Sequence, residues 1–265
     1  VQELHSKGRI MSKGVYAAAS AMWVEQRSLD VTARNIAHAL SPGYRKEVVQ
    51  RTAFVDELAK RGHGTDLKGD GGAGVLTDGS RHIFTEGSRE TTGAPLDLGL
   101  AGNGFYQVQA PDGRTLLTRA AHFTTDRQGR MVNPDGWPVL GQGGAISIPP
   151  DADRILVDQD GRVSYEVTQD GIRNETVLDQ LRIGTVDNPE RMRAVNGQYF
   201  DPTGQPVRDA SNVQVLQGTL EKANIEPVQE LVEMIAIQRR FDAAQKALRE
   251  QSQAGSGFSD ILRGG

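Results

Sequence analysis

Residues 15–45 read VYAAASAMWVEQRSLDVTARNIAHALSPGYR, and the spacing within this stretch decides the fold. Large apolar side chains recur every seven residues, at Val15, Met22, Leu29 and Ile36. Seven residues are two helical turns, so the four share one face of a helix. Ala18, Ala19 and Ala33 lie near the intervening positions and are small enough to let a partner helix approach closely. The helix must stop before Ser41-Pro42-Gly43, because proline disfavours helical backbone in the residue before it and glycine accepts a turn. One amphipathic helix of this length has no core of its own, so its stripe must meet something else.

The other end of the chain offers a partner. Pro227 suits the first turn of a helix, where its missing N–H costs nothing. From there an apolar stripe runs through Leu231, Met234, Ile235, Phe241 and Leu248, until Gly255 and Gly257 break it. Two arrangements fit the pattern. The helices could cap an ordinary globular domain, or they could form a terminal coiled coil that also packs against copies of itself. Gln26, Gln238 and Gln245, on or near the stripes, favour the second, since polar residues there weaken a sealed core but set register.

The middle of the chain reads differently. Phe105–Gln109 and Ile146–Ile148 have strand composition, and turn signals recur at Asp112-Gly113, Asp126 to Gly129, Asp135-Gly136, Asp160-Gly161 and Asp201 to Gly204. Regular turns between short strands point to an antiparallel sandwich or barrel-like domain. The glycine-rich run from Gly62 to Gly79 reads as a flexible linker or extended arm. The expected plan is α+β: residues 11–45 as an N-terminal helix of a polymer core, 46–82 as the arm, 83–212 as an inserted, mainly antiparallel β domain, 213–252 as a C-terminal helix and 253–265 as a flexible tail. Residues 1–10 read as a tag or upstream extension, with Met11 as a natural start.

Composition narrows the function. A hydrophobic fraction of 37% and 31 glycines in 265 residues suit thin layers and many turns better than one deep core. The net charge of −4 speaks against a nucleic-acid or anionic-membrane surface, and nothing is apolar enough for membrane insertion. With no cysteine there is no disulfide, thiolate metal site or thiol nucleophile.

Candidate chemistry yields to plainer readings. Gly102-Asn103-Gly104 lacks the third glycine of a dinucleotide fingerprint and precedes a strand rather than a helix, so it reads as a tight turn. Asp158-Gln159-Asp160-Gly161 resembles the start of a calcium loop, but the twelfth position is Gln169 where a bidentate glutamate is needed, and a hairpin turn explains it. His5, His38, His63, His82 and His122 have no metal-ligand spacing on a shared helix face. His38 stands where it can meet the last helical carbonyls. Glu25 and Asp30 read as solvated helix surface. There is no Gly-x-Ser-x-Gly elbow. Catalytic, cofactor and metal sites are all expected to be absent, and the chain reads as no enzyme.

Several ordered stretches carry a resemblance. Asn35-Ile36-Ala37-His38-Ala39-Leu40-Ser41-Pro42-Gly43-Tyr44-Arg45 resembles the signature shared by flagellar rod, hook and hook-associated proteins, with His38 and Leu40 departing from it. Leu96 to Tyr106, with Gly102, Gly104 and Phe105, is similar to the opening of that family's β domain, and Leu117 to Phe123, Asp126, Gly129, Gly136 and Val139-Leu140-Gly141 follow in family order. Gly218 to Ile225, with Leu220, Glu221 and Asn224, then Val228 and Gln238-Arg239-Arg240-Phe241, resembles the start of its C-terminal helix. Gly14 to Met22 resembles the proximal rod subunit more than the distal one.

The resemblance implies a mechanism without chemistry. Such subunits leave the cell unfolded through the flagellar type III export apparatus, without a cleaved signal. They polymerise with themselves and with other rod and hook subunits into the basal-body rod, a periplasmic drive shaft and export channel. The packing residues would be Val15, Met22, Leu29 and Ile36 on one helix, and Leu231, Met234, Ile235, Phe241 and Leu248 on the other. The reading from another class is a secreted β-domain binding or adhesion module on a helical stalk.

Overall fold

The computed structural model describes residues 2–53, 75–195 and 197–263, and the chain forms two compact units. The first comprises residues 1–37, 47–81 and 226–265. It contains helix α1 (Gln2–Ala37), strands β1 (Glu47–Ala53) and β2 (Val75–His82), which pair as a two-stranded sheet, and helix α2 (Pro227–Arg263). Helix α1 ends where the sequence requires, in a turn over His38–Leu40 ahead of Pro42, with Arg34 placed to complement the negative helix end. Helix α2 starts on Pro227, and its first turn carries Glu230. The two helices pack against each other and α1 also packs on β1.

Three features of this unit depart from expectation. Helix α1 begins at Gln2 and so takes in the residues read as an extension. Helix α2 continues to Arg263 through Gly255 and Gly257. An interior glycine costs a helix about 1 kcal/mol relative to alanine without removing its hydrogen bonds, so glycine alone does not end one. The segment read as an arm opens and closes in the strands β1 and β2, and residues 54–74 lie outside the described residues.

The second unit, residues 38–46 and 82–225, is the β domain. Its main sheet has six antiparallel strands built from β5 (Phe105–Gln109), β6 (Thr115–Thr118), β14 (Ile183–Thr185), β15 (Arg193–Val195), β16 (Tyr199–Asp201) and β17 (Arg208–Asp209), in the order β15-β16-β6-β5-β14-β17. Both faces of this sheet are covered. Tyr106, Val108 and Leu116 enter one apolar cluster with Leu98, Met131 and Val163, while Phe105 and Leu117 enter another with Val186, Met192 and Phe200. Two-sided burial explains why β5 shows only partial alternation, with Phe105, Tyr106, Gln107 and Val108 all buried.

A second antiparallel sheet joins β11 (Arg154–Val157), β12 (Arg162–Gln169) and β13 (Ile172–Gln180), with a register shift between Val163 and Ser164. Short pairs complete the domain: β3 (Arg89–Thr91) with β19 (Thr219–Glu221), β4 (Leu98–Ala101) with β18 (Gln214–Gln217), β7 (Thr124–Thr125) with β8 (Met131–Val132), and β9 (Leu140–Gly141) with β10 (Gly144–Ala145). Strands β18 and β19 therefore belong to the β domain, not to the segment of the C-terminal helix. Ile146–Ile148 is no strand; only Ser147 bridges, to Arg130.

The turn signals have a common physical cause. Gly113, Gly129, Gly136, Gly161 and Gly204 all take positive φ. In four of these turns an aspartate opens the loop and accepts backbone N–H groups two or four residues on: Asp112 from Arg114, Asp126 from Gln128 and Arg130, Asp158 from Asp160 and Arg162, and Asp201 from Thr203. The calcium-like stretch is thus a hairpin turn whose carboxylate is spent on its own backbone.

Candidate functional site

The residues singled out from sequence fall on two kinds of surface, helix faces in the first unit and a buried junction in the second. Among the described side chains of α1 the buried ones are Val24, Glu25, Ser28, Val31, Thr32 and Asn35. Val15, Met22, Leu29 and Ile36 are only half-buried and border that face about a third of a turn away. Sequence reading missed Val24 and Val31, which repeat at seven residues just as the chosen stripe does. Between two such stripes only a known partner can decide.

Helix α2 divides more sharply. Glu230 and Ile237 are buried, and Met234, Phe241, Ala244, Leu248 and Gln251 are half-buried, at alternating spacings of four and three that define one inward face. Ile237, at 2% exposure, is the most deeply buried of these and was missed from sequence. Leu231 and Ile235 do not join it. With Val228 and Val232 they form a second apolar stripe at i, i+3, i+4 and i+7, between 49% and 73% exposed.

Polar contacts fix how the helices meet. Asn35 Nδ2 donates to Glu230 at 3.2 Å, and Arg240 Nε donates to Glu25 at 3.3 Å. Ten residues separate Glu25 from Asn35 and ten separate Glu230 from Arg240, so both contacts belong to one antiparallel register. Asn35 also docks β1 by a two-point clasp, donating to the Glu47 carbonyl at 2.8 Å and accepting from the Glu47 N–H at 3.0 Å. Only a side-chain amide can both donate and accept in this way, which accounts physically for asparagine at this motif position. Arg34 adds an ion pair to Glu47 at 2.9 Å. Glu25 corrects its reading as solvated surface: it is 7% exposed and accepts both Arg51 and Arg240. Asp30, Gln26 and Gln238 are exposed, and Gln245 is half-buried. Ala37 and Arg239 are exposed as well.

In the second unit, distant motif segments converge on Glu221. Its Oε1 accepts Arg45 Nη2 at 2.7 Å and the Gly87 N–H at 2.9 Å, while its Oε2 accepts Arg119 Nη1 at 3.0 Å. Side chains of all three charged residues are at most 4% exposed. The Arg119 guanidinium also donates to the Gly102 carbonyl and lies 5.4 Å from the centre of the Phe105 ring. Burial pulls the Arg45 guanidinium below its ordinary pKa, with Glu221 opposing. Gly43 has φ +68°, and a Cβ there would stand 2.3 Å from the Arg119 and Ala120 backbone; its N–H donates to the Glu221 carbonyl at 2.7 Å. Side-chain-free backbone is the only chemistry that fits. Gly102 also takes positive φ, and a Cβ on Gly104 would press on Ile183.

Tyr44, 2% exposed, packs with Ala223 and Ile225 and stacks on His38 at 4.8 Å. The departure His38 therefore has a packing role, and its Nδ1 lies 3.2 Å from Ser41 Oγ. Leu40 stands 94% exposed. Asn224 is a second amide clasp, accepting the Lys46 N–H at 2.6 Å and donating to the Ile83 carbonyl at 2.7 Å. Pro42 presents its carbonyl to Gln198, and Leu220 is half-buried in β19.

The contacts these residues make are amide clasps, buried ion pairs and apolar packing. Among the described residues no three potential ligands group to hold a metal ion, and no helix is long and apolar enough to cross a membrane. A cleft of about 430 Å³ in the β domain is lined by Gln142, Asp160, Gln180, Leu181, Arg182, Ile183, Asp209, Ala210 and Val213. It presents carboxylates and a guanidinium with no histidine or hydroxyl nucleophile.

Residues 99–165 match the family described as flagellar hook protein FlgE/F/G D1 domain, and residues 216–253 match flagellar basal body rod FlgEFG protein C-terminal. The flagellar basal-body rod protein FlgF of Caulobacter vibrioides is 34% identical over 90% of this chain and 93% of its own length. The rod protein FlgG of Agrobacterium fabrum is 31% identical over 93% and 98%, and that of Bacillus subtilis 30% over 90% and 94%. These alignments span the helices and the β domain alike, and the chain belongs to the flagellar basal-body rod proteins, a structural subunit and not an enzyme.

Proposed function

We propose that this rod subunit polymerises through its terminal helices, the inward faces forming an antiparallel coiled coil within the chain and the outward faces packing on neighbouring subunits. The antiparallel register set by Asn35–Glu230 and Glu25–Arg240 brings Val31 opposite Met234, Ser28 opposite Ile237, Val24 opposite Phe241, Ala21 opposite Ala244 and Ala17 opposite Leu248. Small residues meet large ones at Ser28–Ile237 and Ala17–Leu248, and valine meets a longer side chain at Val31–Met234 and Val24–Phe241, as interlocking layers require. The observation that carries the reading is the second stripe on α2. Val228, Leu231, Val232 and Ile235 stay exposed after the helix has already buried its other face. A helix with apolar residues on two faces has a second partner.

The partners are further copies of this chain and other rod and hook subunits. The place is the periplasmic part of the basal body, reached through the flagellar type III export apparatus without a cleaved signal. Relatives carry two names, FlgG and FlgF, at similar identity, so the member is assigned on the opening Gly14–Met22, which favours the proximal rod. Quantitative mass spectrometry of purified hook–basal bodies tests that placement: a few copies support it, many place the chain in the distal rod.

The packing reading is tested by Leu231→Asp with Ile235→Asp on the chromosome. Each side chain is about half exposed in the single chain, so the purified protein keeps its fold and melting temperature while rods and motility are lost. Normal swimming by this strain would remove the outward stripe from the interface.

A further inference from the structure

Glu25 is the centre of an ionic chain running through the first unit. Arg51 on β1 grips it with two parallel bonds, Nη1 to Oε1 at 3.1 Å and Nη2 to Oε2 at 3.2 Å, and the same Nη2 reaches Ser28 Oγ at 3.1 Å. Arg240 on α2 donates its Nε to Oε2 and its Nη2 to Glu233 at 2.7 Å, one heptad back along α2. Two carboxylates and two guanidiniums thus balance across α1, β1 and α2, around a glutamate that is 7% exposed.

Met234, Phe241 and Leu248 are all large and apolar and repeat every seven residues, so sliding α2 by one heptad exchanges one for the next. The alternate inward positions Glu230, Ile237, Ala244 and Gln251 differ in size and polarity, so a slide also sets Ala244 or Glu230 in the place of Ile237. Charge adds to this packing penalty. The α2 residues one heptad either side of Arg240 are Glu233 and Ala247. Sliding one way sets Glu233 against the buried Glu25 carboxylate; sliding the other way leaves Ala247 there and loses the α2 half of its charge compensation. Both outcomes are penalised, because a buried carboxylate without full compensation is costly and one facing another is costlier.

We propose that Glu25, read through Arg240 and anchored by Arg51, is the register key of the helix pair: a positioning residue that admits one alignment of α1 on α2 and rejects the two neighbouring heptads. The proposal rests on the helix seam described above and does not depend on polymerisation. Asn35, with its 3.2 Å contact to Glu230, supports the same alignment from the other end.

The native chain has no cysteine, so paired cysteines report register without background. In the full chain, Ala21→Cys with Ala244→Cys marks the native alignment. Ala21→Cys with Gln251→Cys marks a slip that brings residue 247 to Glu25, and Ala21→Cys with Ile237→Cys marks the opposite slip. With Glu25 and Arg240 intact, the native pair closes and both slipped pairs form at least about tenfold less disulfide, the discrimination expected when one alignment keeps a buried ion pair and the others break it. Glu25→Gln raises the slipped pairs at least about tenfold, and Arg240→Ala with Ala247→Arg makes the Ala21–Gln251 disulfide the major product, because the cation has moved by one heptad. Slipped-pair yields unchanged in both backgrounds, with Trp137 fluorescence of the Trp23→Phe chain showing an intact β domain, would overturn the proposal and assign register to the apolar seam and Asn35. Since cross-linking is read on the purified chain, it fails or succeeds independently of the motility test for assembly.

Discussion

At Glu221 one carboxylate answers two guanidiniums and a backbone N–H, almost wholly out of water. Removing its charge leaves Arg45 and Arg119 facing each other without an anion. Glu221→Gln is therefore expected to destabilise the β domain by about 3–5 kcal/mol, measured as a shift in its urea midpoint. The exposed pair between Asp112 and Arg114 makes the contrast, since losing it through Asp112→Asn should change the midpoint little. Two phenols give a second residue-scale prediction. Burial raises Tyr106 well above the usual tyrosine range, and burial followed by the Asp135 carboxylate raises Tyr199. Both folded values lie above the unfolded one, so the native chain holds protons that the unfolded chain releases. The stabilisation is complete below about pH 10 and is lost at higher pH by about 1.4 kcal/mol per unit for each group. Urea midpoints between about pH 9 and about pH 11 should fall accordingly, and Tyr106→Phe should flatten part of that fall. Unchanged midpoints across this range would contradict the burial of both hydroxyls.

Elements differ in how openly the sequence announces them. The inner ends of both helices were legible because Pro42 and Pro227 act locally, through a forbidden backbone angle and a missing N–H. Their faces were less so. Val15–Ile36 is the longer heptad run on α1, with four members against the two of Val24–Val31, yet the shorter one is buried, because Glu25 and Asn35 meet a segment about two hundred residues away. The β turns were legible for the opposite reason, four of the five being closed by their own aspartate and glycine. Strands β18 and β19 were not, since they exist only by pairing with β4 and β3 across more than a hundred residues. On α2 the consequence can be measured. Ile237 lies on the inward face at 2% exposure, and Leu231 on the outward face at 49%. Ile237→Ala should cost about 2–4 kcal/mol of helix-pair stability in the isolated chain, whereas Leu231→Ala should cost under about 1 kcal/mol there and act on assembly instead. Far-ultraviolet circular dichroism during thermal melting reads both. Equal losses would mean that the two faces are not distinct.

For the whole molecule, the two units should differ in strength. The β domain has two dense apolar clusters and buried strands on both faces of its main sheet. The helical unit is held by a seam that alternates apolar layers with Glu25, Ser28, Asn35 and Glu230, and it leaves Tyr16, Trp23 and the α2 stripe exposed. Buried polar contacts specify an alignment but stabilise it weakly. The chain carries two tryptophans, one in each unit: Trp23 on α1, and Trp137 packed 4.6 Å from the Tyr199 ring in the β domain. In Trp23→Phe, fluorescence reports the β domain alone while the helical circular dichroism signal reports mainly the other unit. Heating the dilute chain should remove the helical signal first, with the Trp137 transition following at higher temperature. Raising the protein concentration to favour association should lift the first transition and leave the second in place, because neighbours that bury the outward stripe stabilise only the unit that carries it. A single coincident transition, insensitive to concentration, would mean that the helices draw their stability from within the chain and have no need of neighbours.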